Sequence, residues 1–526
     1  MCWICGYYGK CKRDCKTVPD VPIVQNVPVV RVRRNSNNQN NHWNLWNDWN
    51  YWNRSYGEIM KQADGLRSWL KQADELGEIR TIDGADWDLE IGGVADIVNE
   101  RGSSPAVLFD AVKGYPKGYR VLVNSLGSTK RLGLSLGMPQ NLSSMEFVSE
   151  WRRRSKALQH IPPCVVRDGP VLENIQRGKD VNILSFPTPR WFELDGGRYI
   201  GTGSVNITHD PEEGWTNLGT ARVMIHDENT VGFYIAPGRH GRIHRDKAFA
   251  RGEPFKVAIS VGHDPLIFLA GALEVPYGVC EYDFIGGIQG EPVDVIHGEF
   301  TGLPIPATAE IVLEGECVPG PEKIEGPFGE WTGYYGSSSR PEPIVKIHNV
   351  MHRDHPILLG YTRKWRAPLK AALVWDDLEG AGVPDVRGVW YHEAAGAAYL
   401  FLVVSIRQRY PGHARQAGLV ATECHAAAYL GRYTVVVDDD IDPTNLNEVL
   451  WAMCTRTDPI QDIEMLRRCW SGPLDPIIHK DKKGFNSRAI IDATRPYEWK
   501  DTFPQVSRSS RELRERILEK WAAKLS

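Results

Sequence analysis

The chain has 526 residues, 42% of them hydrophobic and 24% charged, the makeup of a globular protein with roughly two to four domains. Sixty-two basic against 66 acidic residues leave a formal charge of −4, which excludes a nucleic-acid binder working through a general positive field. The longest apolar stretch, AAGAAYLFLVVSI at 394–406, is 13 residues long and runs straight into Arg407; it is too short to span a bilayer and is expected to be a buried strand.

In chain order, the first feature is a crowd of cysteines. MCWICGYYGKCKRDCK places Cys2, Cys5, Cys11 and Cys15 in a C-x2-C-x5-C-x3-C array, enough thiolates for a tetrahedral zinc or an iron–sulfur cluster. The other six (Cys164, Cys280, Cys317, Cys424, Cys454 and Cys469) are scattered singly and read as reduced core residues. Residues 35–53, NSNNQNNHWNLWNDWNYWN, have neither helix nor strand period, so 1–56 is expected to be a low-complexity extension, loosely attached or disordered. No basic-then-apolar leader opens the chain, and the expected compartment is the cytoplasm.

A globular pattern begins after Tyr56. Residues 58–76 carry Ile59, Leu66, Leu70 and Leu76 at helical spacing, and strands are expected near 106–109 and 119–124, so 57–170 is predicted to be an α/β domain. From 171 to 360 short apolar runs are broken by Gly and Pro: ARVMIHD, TVGFYIAPG, FKVAISVG, VDVIHG, AEIVLEGE and PIVKIHNV. Runs at such intervals predict an antiparallel sheet or barrel. From 361 to 526 strands alternate with helices again: YLFLVVSI and YTVVVDDD flank a predicted helix over 414–430. Asp442 and Pro443 stand in N-cap and N1 positions before TNLNEVLWAM. Ser509 and Glu512 have capping-box spacing at the start of the last helix, whose ridge Leu513, Ile517, Trp521 and Leu525 packs on its own core or on another subunit.

The stretch IEGPFGEWTGYYG, 324–336, holds Glu325 and Glu330 five positions apart on a Gly-Pro backbone that cannot be a helix. Two such acids reach one cavity only if the loop curls around it. Near one cation they can then be driven to different protonation states, one a proton donor and the other a charged partner.

Four further stretches accompany that loop in order: EGWTNLGTARVMIHD (213–227), APGRHGRIHR (236–245), LEVPYGVCEYDFIGGIQGEPVDVI (273–296) and PATAEIVLEGE (306–316). Together they resemble the UbiD-type reversible (de)carboxylases that use prenylated FMN, with motifs similar to those of the ferulic acid decarboxylases. The resemblance covers roughly 160–500. It implies an α/β protein with a central split β-barrel-like flavin-binding domain at 171–360, flanked by an N-terminal α/β domain and a C-terminal α/β oligomerisation domain at 361–526.

The resemblance also implies roles. Asn217, His240 and Glu281 match positions that hold a divalent metal (Mn²⁺, with Mg²⁺ or Fe²⁺ as alternatives) bridging to the flavin phosphate, and hard oxygen and imidazole donors suit such ions. Gly219, Thr220, Ala221, Arg222 and Arg239 match the flavin cradle, and Ala270 to Leu273 with Glu281 match a K⁺ site. Arg222, Glu325 and Glu330 match the catalytic trio, in which Arg222 holds the substrate carboxylate, Glu325 orients Arg222 and Glu330 returns a proton in place of CO₂. Trp331, Arg239 and Leu474 match the substrate pocket. The implied partners are a small carboxylic acid and CO₂, a flavin prenyltransferase that supplies the cofactor, and further copies of the chain as a homodimer or homohexamer; no nucleic acid and no membrane are expected. Cys280 is read as a strand residue facing away from Glu281, and His244 as structural, since no strong helix signal supports a His240–His244 metal pair.

The chain departs from the pattern in places. Arg239 stands where the ferulic acid decarboxylases carry Gln, His425 falls near the place of a phosphate-side Lys, and YTRKWRAPL (361–369) is unlike its counterpart. The acid is therefore left open as aromatic, heteroaromatic or α,β-unsaturated. An aryl-CoA thioester contacted by Arg239, Arg363, Lys364 and Arg366 is a second reading, and a non-catalytic flavin- or metal-binding assembly protein a third.

Overall fold

The computed structural model describes residues 64–525 apart from 102–103, 274, 394–397, 473, 483 and 508. Cys2, Cys5, Cys11, Cys15 and Ile59 lie outside the described residues.

The first helix, Leu66–Glu75, buries Leu66, Trp69 and Ala73, one stripe at helical spacing, and Trp69 Nε1 donates to Ser135 Oγ at 3.0 Å. Beyond it a four-stranded sheet runs in the order Ile79–Asp83, Ala106–Asp110, Arg120–Val123 and Ile357–Leu359. Both strands expected in this region are present. The last strand comes from far along the chain and pairs in parallel with Arg120–Val123, so the N-terminal sheet is completed by residues that follow the central one.

The central sheet has ten strands, all antiparallel to their neighbours. Its main path runs Tyr199–Gly201, Val223–Asp227, Thr230–Phe233, Arg340–His352, Ile311–Cys317, Phe255–Val261, Val205–His209 and Thr216–Gly219. Thr216–Gly219 ends the path and Val223–Asp227 is six strands away, about 29 Å in a flat sheet at the usual spacing. Only residues 220–222 join them, a link that reaches at most about 14 Å. The sheet is therefore curled into an open barrel, and the two ends meet at Arg222. The expected strand in VDVIHG does form, as Asp294–His297, but in a separate three-stranded sheet with Pro304–Pro306 and Cys164–Val165.

The C-terminal sheet runs Val386–Tyr391, Phe401–Ile406, Tyr433–Asp438, Phe485–Ala493 and Ile463–Trp470, with its three middle strands parallel. Among the described residues of the apolar stretch at 394–406, the strand is Phe401–Ile406. The helix predicted for 414–430 is His413–Glu423 and stops early. Buried Arg488 donates to the carbonyl of Thr422 in the last turn of the helix and to that of Ala428 in the turn that follows, 2.6 and 2.5 Å away, and so serves acceptors that amides further along would otherwise bond. Asp442 is not the N-cap of the next helix, Leu446–Arg456: its carboxylate closes a turn with Thr444, and the Asn445 side chain accepts from the amides of Asn447 and Glu448. The terminal helix Arg511–Leu525 is capped by Ser510, which accepts from Leu513 N, rather than by Ser509. Ile517 and Trp521 of its ridge are exposed, as is Leu518. Among the described residues no helix is long and apolar enough to cross a membrane.

One buried carboxylate ties the first helix to the central sheet. Glu310, fully buried, accepts two bonds of 2.9 Å from Arg67 and one of 3.2 Å from Ile357 N, with Arg353 Nη1 at 3.6 Å. Glu310→Ala leaves two arginines without that anion and is expected to lower stability by about 3 kcal/mol. Chemical denaturation of the apoprotein reads this directly; a loss below about 1 kcal/mol would mean that water and Asp64 replace the anion.

Candidate active site

The end of the strand Glu322–Glu325 and the loop that follows it carry the two acids to one guanidinium. Arg222, its side chain 9% exposed, donates from Nε and Nη2 to Glu325 at 2.7 and 2.8 Å and from Nη1 to Glu330 at 2.5 Å. Glu325 is fully buried and Glu330 is 8% exposed. In the loop Gly326 has φ +83°, a region that favours glycine, and the Gly326–Pro327 peptide is cis. Burial pushes the Glu330 carboxyl above its ordinary value, against the pull of Arg222 and the Ser337 hydroxyl, while the charge of Glu325 raises it further. The two acids thus meet one cation on unequal terms: Glu325 takes two arms of the fork and Glu330 one.

Several contributors carry no signal in the sequence. Tyr199 OH donates to Glu325 Oε1 at 3.2 Å, and Ser337 Oγ lies 3.0 Å from Arg222 Nη1 and 3.3 Å from Glu330 Oε1. Tyr234 lies under the guanidinium, 5.0 Å from its ring centre, and Phe328 5.7 Å away. A hydroxyl or ring becomes part of a site only through its neighbours, and nothing local marks these.

A second cluster lies where the other end of the barrel path returns. Asn217, on the strand Thr216–Gly219, has Oδ1 3.1 Å from His240 Nδ1. Glu281 accepts from Leu218 N at 2.7 Å. His240 is boxed by Trp215 and Tyr277, with ring centres 5.4 Å from each. Burial lowers the His240 pKa, with help from the neighbouring charge of Arg239, and keeps the imidazole neutral, the form that binds metals. Burial also pushes the Glu281 carboxyl up to about 7. Amide oxygen, neutral imidazole and a carboxylate shut away from water form a hard donor set that suits a divalent cation. Ala270 to Leu273, at the end of the helix Pro265–Ala272, adjoins them, since a Cβ on Gly271 would sit 3.3 Å from the Leu218 carbonyl. Gly219, Thr220, Ala221 and Arg222 form the backbone link between the two clusters.

Two readings of local structure change. Cys280 is the N-cap of the helix Glu281–Gln289, not a strand residue. His240 begins the helix His240–Ala250, so His240 and His244 do stand one turn apart. His244 is nonetheless buried and turned to Thr208 Oγ1 at 3.0 Å, with Asp210 at 3.6 Å.

Of the predicted pocket residues, Trp331 has its ring 5.1 Å from that of Tyr399 in the C-terminal half, and Leu474 packs its backbone on Gly336. Arg239 is an exposed N-cap residue. His425 is exposed on the turn after the helix His413–Glu423. Of the cations named for a thioester's phosphates, Arg363 pairs with Asp96 at 2.8 Å, Lys364 donates to the Glu100 carbonyl at 3.0 Å and Arg366 to Tyr399 OH. Three of the four are thus engaged within the chain, which counts against that reading.

Comparison with known proteins agrees with this architecture. Residues 68–151, 164–364 and 365–493 match, respectively, the N-terminal domain, the Rift-related domain and the C-terminal domain of the 3-octaprenyl-4-hydroxybenzoate carboxy-lyase (UbiD) family. The chain is 30% identical over 491 residues to a pyrrole-2-carboxylic acid decarboxylase of Pseudomonas aeruginosa, covering 86% of this chain and 96% of that one. It is 32% identical over 456 residues to a phenolic acid decarboxylase of Sedimentibacter hydroxybenzoicus, covering 82% and 91%. Among solved structures it superposes on the vanillic acid decarboxylase of Sedimentibacter hydroxybenzoicus in open form with TM-score 0.75 at 30% identity, covering 88% of this chain and 98% of that one. On the UbiD-class enzyme HmfF of Pelotomaculum thermopropionicum in complex with FMN the TM-score is 0.77 at 26% identity, covering 87% and 100%. With all three domains matched in order around the Arg222 cluster, the chain belongs to the UbiD family and is a carboxy-lyase.

Proposed function

We propose that the protein removes CO₂ reversibly from an aromatic or heteroaromatic acid, with prenylated FMN as cofactor. The observation that carries this reading is the buried fork of Arg222 between two unequal carboxylates. Glu325 fixes the guanidinium plane from one side, helped by Tyr199. The incoming acid competes with Glu330 for the remaining arm, Nη1, and is thereby held by its carboxylate. Glu330, released from Arg222 and buried, gains a proton more readily and donates it to the carbon that CO₂ has left. The rings of Phe328 and Tyr234 beside the guanidinium keep water from that step.

Asn217, His240 and Glu281 are the residues that would hold a divalent ion, Mn²⁺ first, and Ala270 to Leu273 a K⁺. Bound beside them, the modified flavin would supply the electron sink for decarboxylation. HmfF has been solved with FMN and, in an evolved dimeric form, with prenylated FMN, which supports this cofactor.

The test is co-production with a flavin prenyltransferase, a visible spectrum of the purified protein, and a screen for CO₂ release. Pyrrole-2-carboxylate and hydroxybenzoates head the screen, because the relatives named above act on such acids. A protein that emerges without flavin after co-production sinks the proposal.

A further inference from the structure

The segment WFELDGGRY, residues 191–199, meets the loop that carries the two acids at several points. Gly196 N donates to the Pro327 carbonyl at 2.9 Å, Leu194 N to Tyr335 OH at 3.0 Å, and the Tyr199 ring lies 4.5 Å from that of Phe328. The approach is so close that a Cβ on Gly196 would sit 2.2 Å from the Gly326 carbonyl oxygen. At the centre is Asp195, 7% exposed. One carboxylate oxygen accepts from Gly329 N at 2.9 Å and the other from Phe192 N at 3.0 Å. Gly329 immediately precedes Glu330, and a Cβ there would strike the Phe192 ring at 2.4 Å, so the peptide lies close against that ring.

We propose that Asp195 is a positioning residue for the proton-donating step: anchored by the Phe192 amide, its carboxylate fixes the Gly329 amide and thereby the place of Glu330 opposite Arg222. The proposal rests on the reading of Glu330 as proton donor. A charge-assisted bond to a backbone amide is among the stronger neutral-to-ion contacts a loop can make, and it acts on the peptide next to the donor, where small displacements are felt most in rate. Tyr199 and the guanidinium serve Glu325 independently, so losing Asp195 frees Glu330 while leaving the Arg222–Glu325 pair in place.

Protonation state enters as support. Burial pushes the Asp195 carboxyl up to about 6, against the amides of Gly329, Phe192 and Trp191 and the charge of Arg190. The other titratable groups facing it are the phenols of Tyr199, Tyr335 and Tyr361, all raised above their ordinary value chiefly by burial. Asp195 is therefore the member of this group that titrates near neutrality. Near neutral pH it is thus mostly the carboxylate, the form that accepts from both amides.

The experiment compares wild type, Asp195→Asn and Glu330→Gln. In the apoprotein near neutral pH, amide hydrogen exchange in peptides spanning 326–332 is expected to be about tenfold faster in Asp195→Asn, with the strand Phe255–Val261 unchanged. In flavin-loaded enzyme kcat is expected to fall by about 10- to 100-fold with KM within about twofold. Wild-type exchange in 326–332 together with wild-type kcat overturns the proposal, whatever Glu330→Gln does. Should Glu330→Gln still deliver the proton, the donor reading fails while the exchange result stands on its own. If Asp195→Asn does not fold, Asp195→Ser decides: a neutral hydroxyl serves one of the two amides at most, so exchange in 326–332 must quicken, and wild-type exchange there overturns the proposal.

Discussion

Glu330→Gln is expected to keep its flavin and lose nearly all turnover. A neutral isostere fills the same space and can still contact Arg222 and Ser337, so the loop keeps its shape and the cofactor its seat. What disappears is the transferable proton, and losing a general acid costs about 10² to 10⁴ in rate. The wild type is expected to lose kcat as pH rises through the Glu330 pKa, which burial holds above the ordinary carboxyl value, and the variant's residual activity is expected to lack that limb. Arg222→Lys fails by another route: a point charge cannot give two arms to Glu325 and one to the substrate, so KM rises together with the fall in kcat. Exchange of a substrate-site proton with deuterated water isolates the step, since it needs the donor but no net CO₂ loss. Wild-type exchange in Glu330→Gln would pass the role to Glu325 or to a water.

His240→Ala and Glu281→Gln are expected to remove metal and flavin together. The two residues come from the starts of different helices and meet Asn217 only through the strand Thr216–Gly219, so one ion held by all three would tie the cofactor to the barrel. Losing one of three protein ligands typically costs at least the 10- to 100-fold in metal affinity seen for outer-shell changes, roughly. Elemental analysis and the flavin spectrum on the same sample check this. Full flavin occupancy in a metal-free variant would show the ligand assignment to be wrong. Glu281→Gln is also expected to leave the fold at least as stable near neutral pH, because it removes a buried carboxyl whose charged form burial disfavours.

Much of the chemistry was legible along the chain. Glu325 and Glu330 on a Gly-Pro turn, His240 after a loop and Glu281 before an apolar run are local patterns, and the ordered motifs around them point to a family. Strands were equally plain where apolar runs end in Gly or Pro, as at Phe255–Val261 and Ile311–Cys317. Caps were less so. Asp442 and Asn445, or Ser509 and Ser510, are near-equivalent acceptors a few residues apart, and the choice rests on which lies over free amides once the turn has formed. The helix beginning at His413 reads as longer than it is because Arg488, 66 residues beyond Thr422, takes carbonyls at its end, and no window of local sequence contains both.

By itself, then, the sequence determined which groups are available: a cation, two acids on a Gly-Pro turn, a hard donor set, and short strands that must pair to hide their apolar faces. Only the tertiary structure decided that Arg222 meets Glu325 and Glu330, because that meeting depends on a sheet curling until strands six places apart are joined by three residues. It alone also decided that Glu325 takes two arms of the fork, that Phe328 and Tyr234 flank the guanidinium, and that Asp195 grips the peptide beside Glu330 from 134 residues away. Strand periodicity states which face of a strand is buried, not which distant strand lies beside it; pairing is set by register and closure across the whole sheet, and the site is built from those pairings.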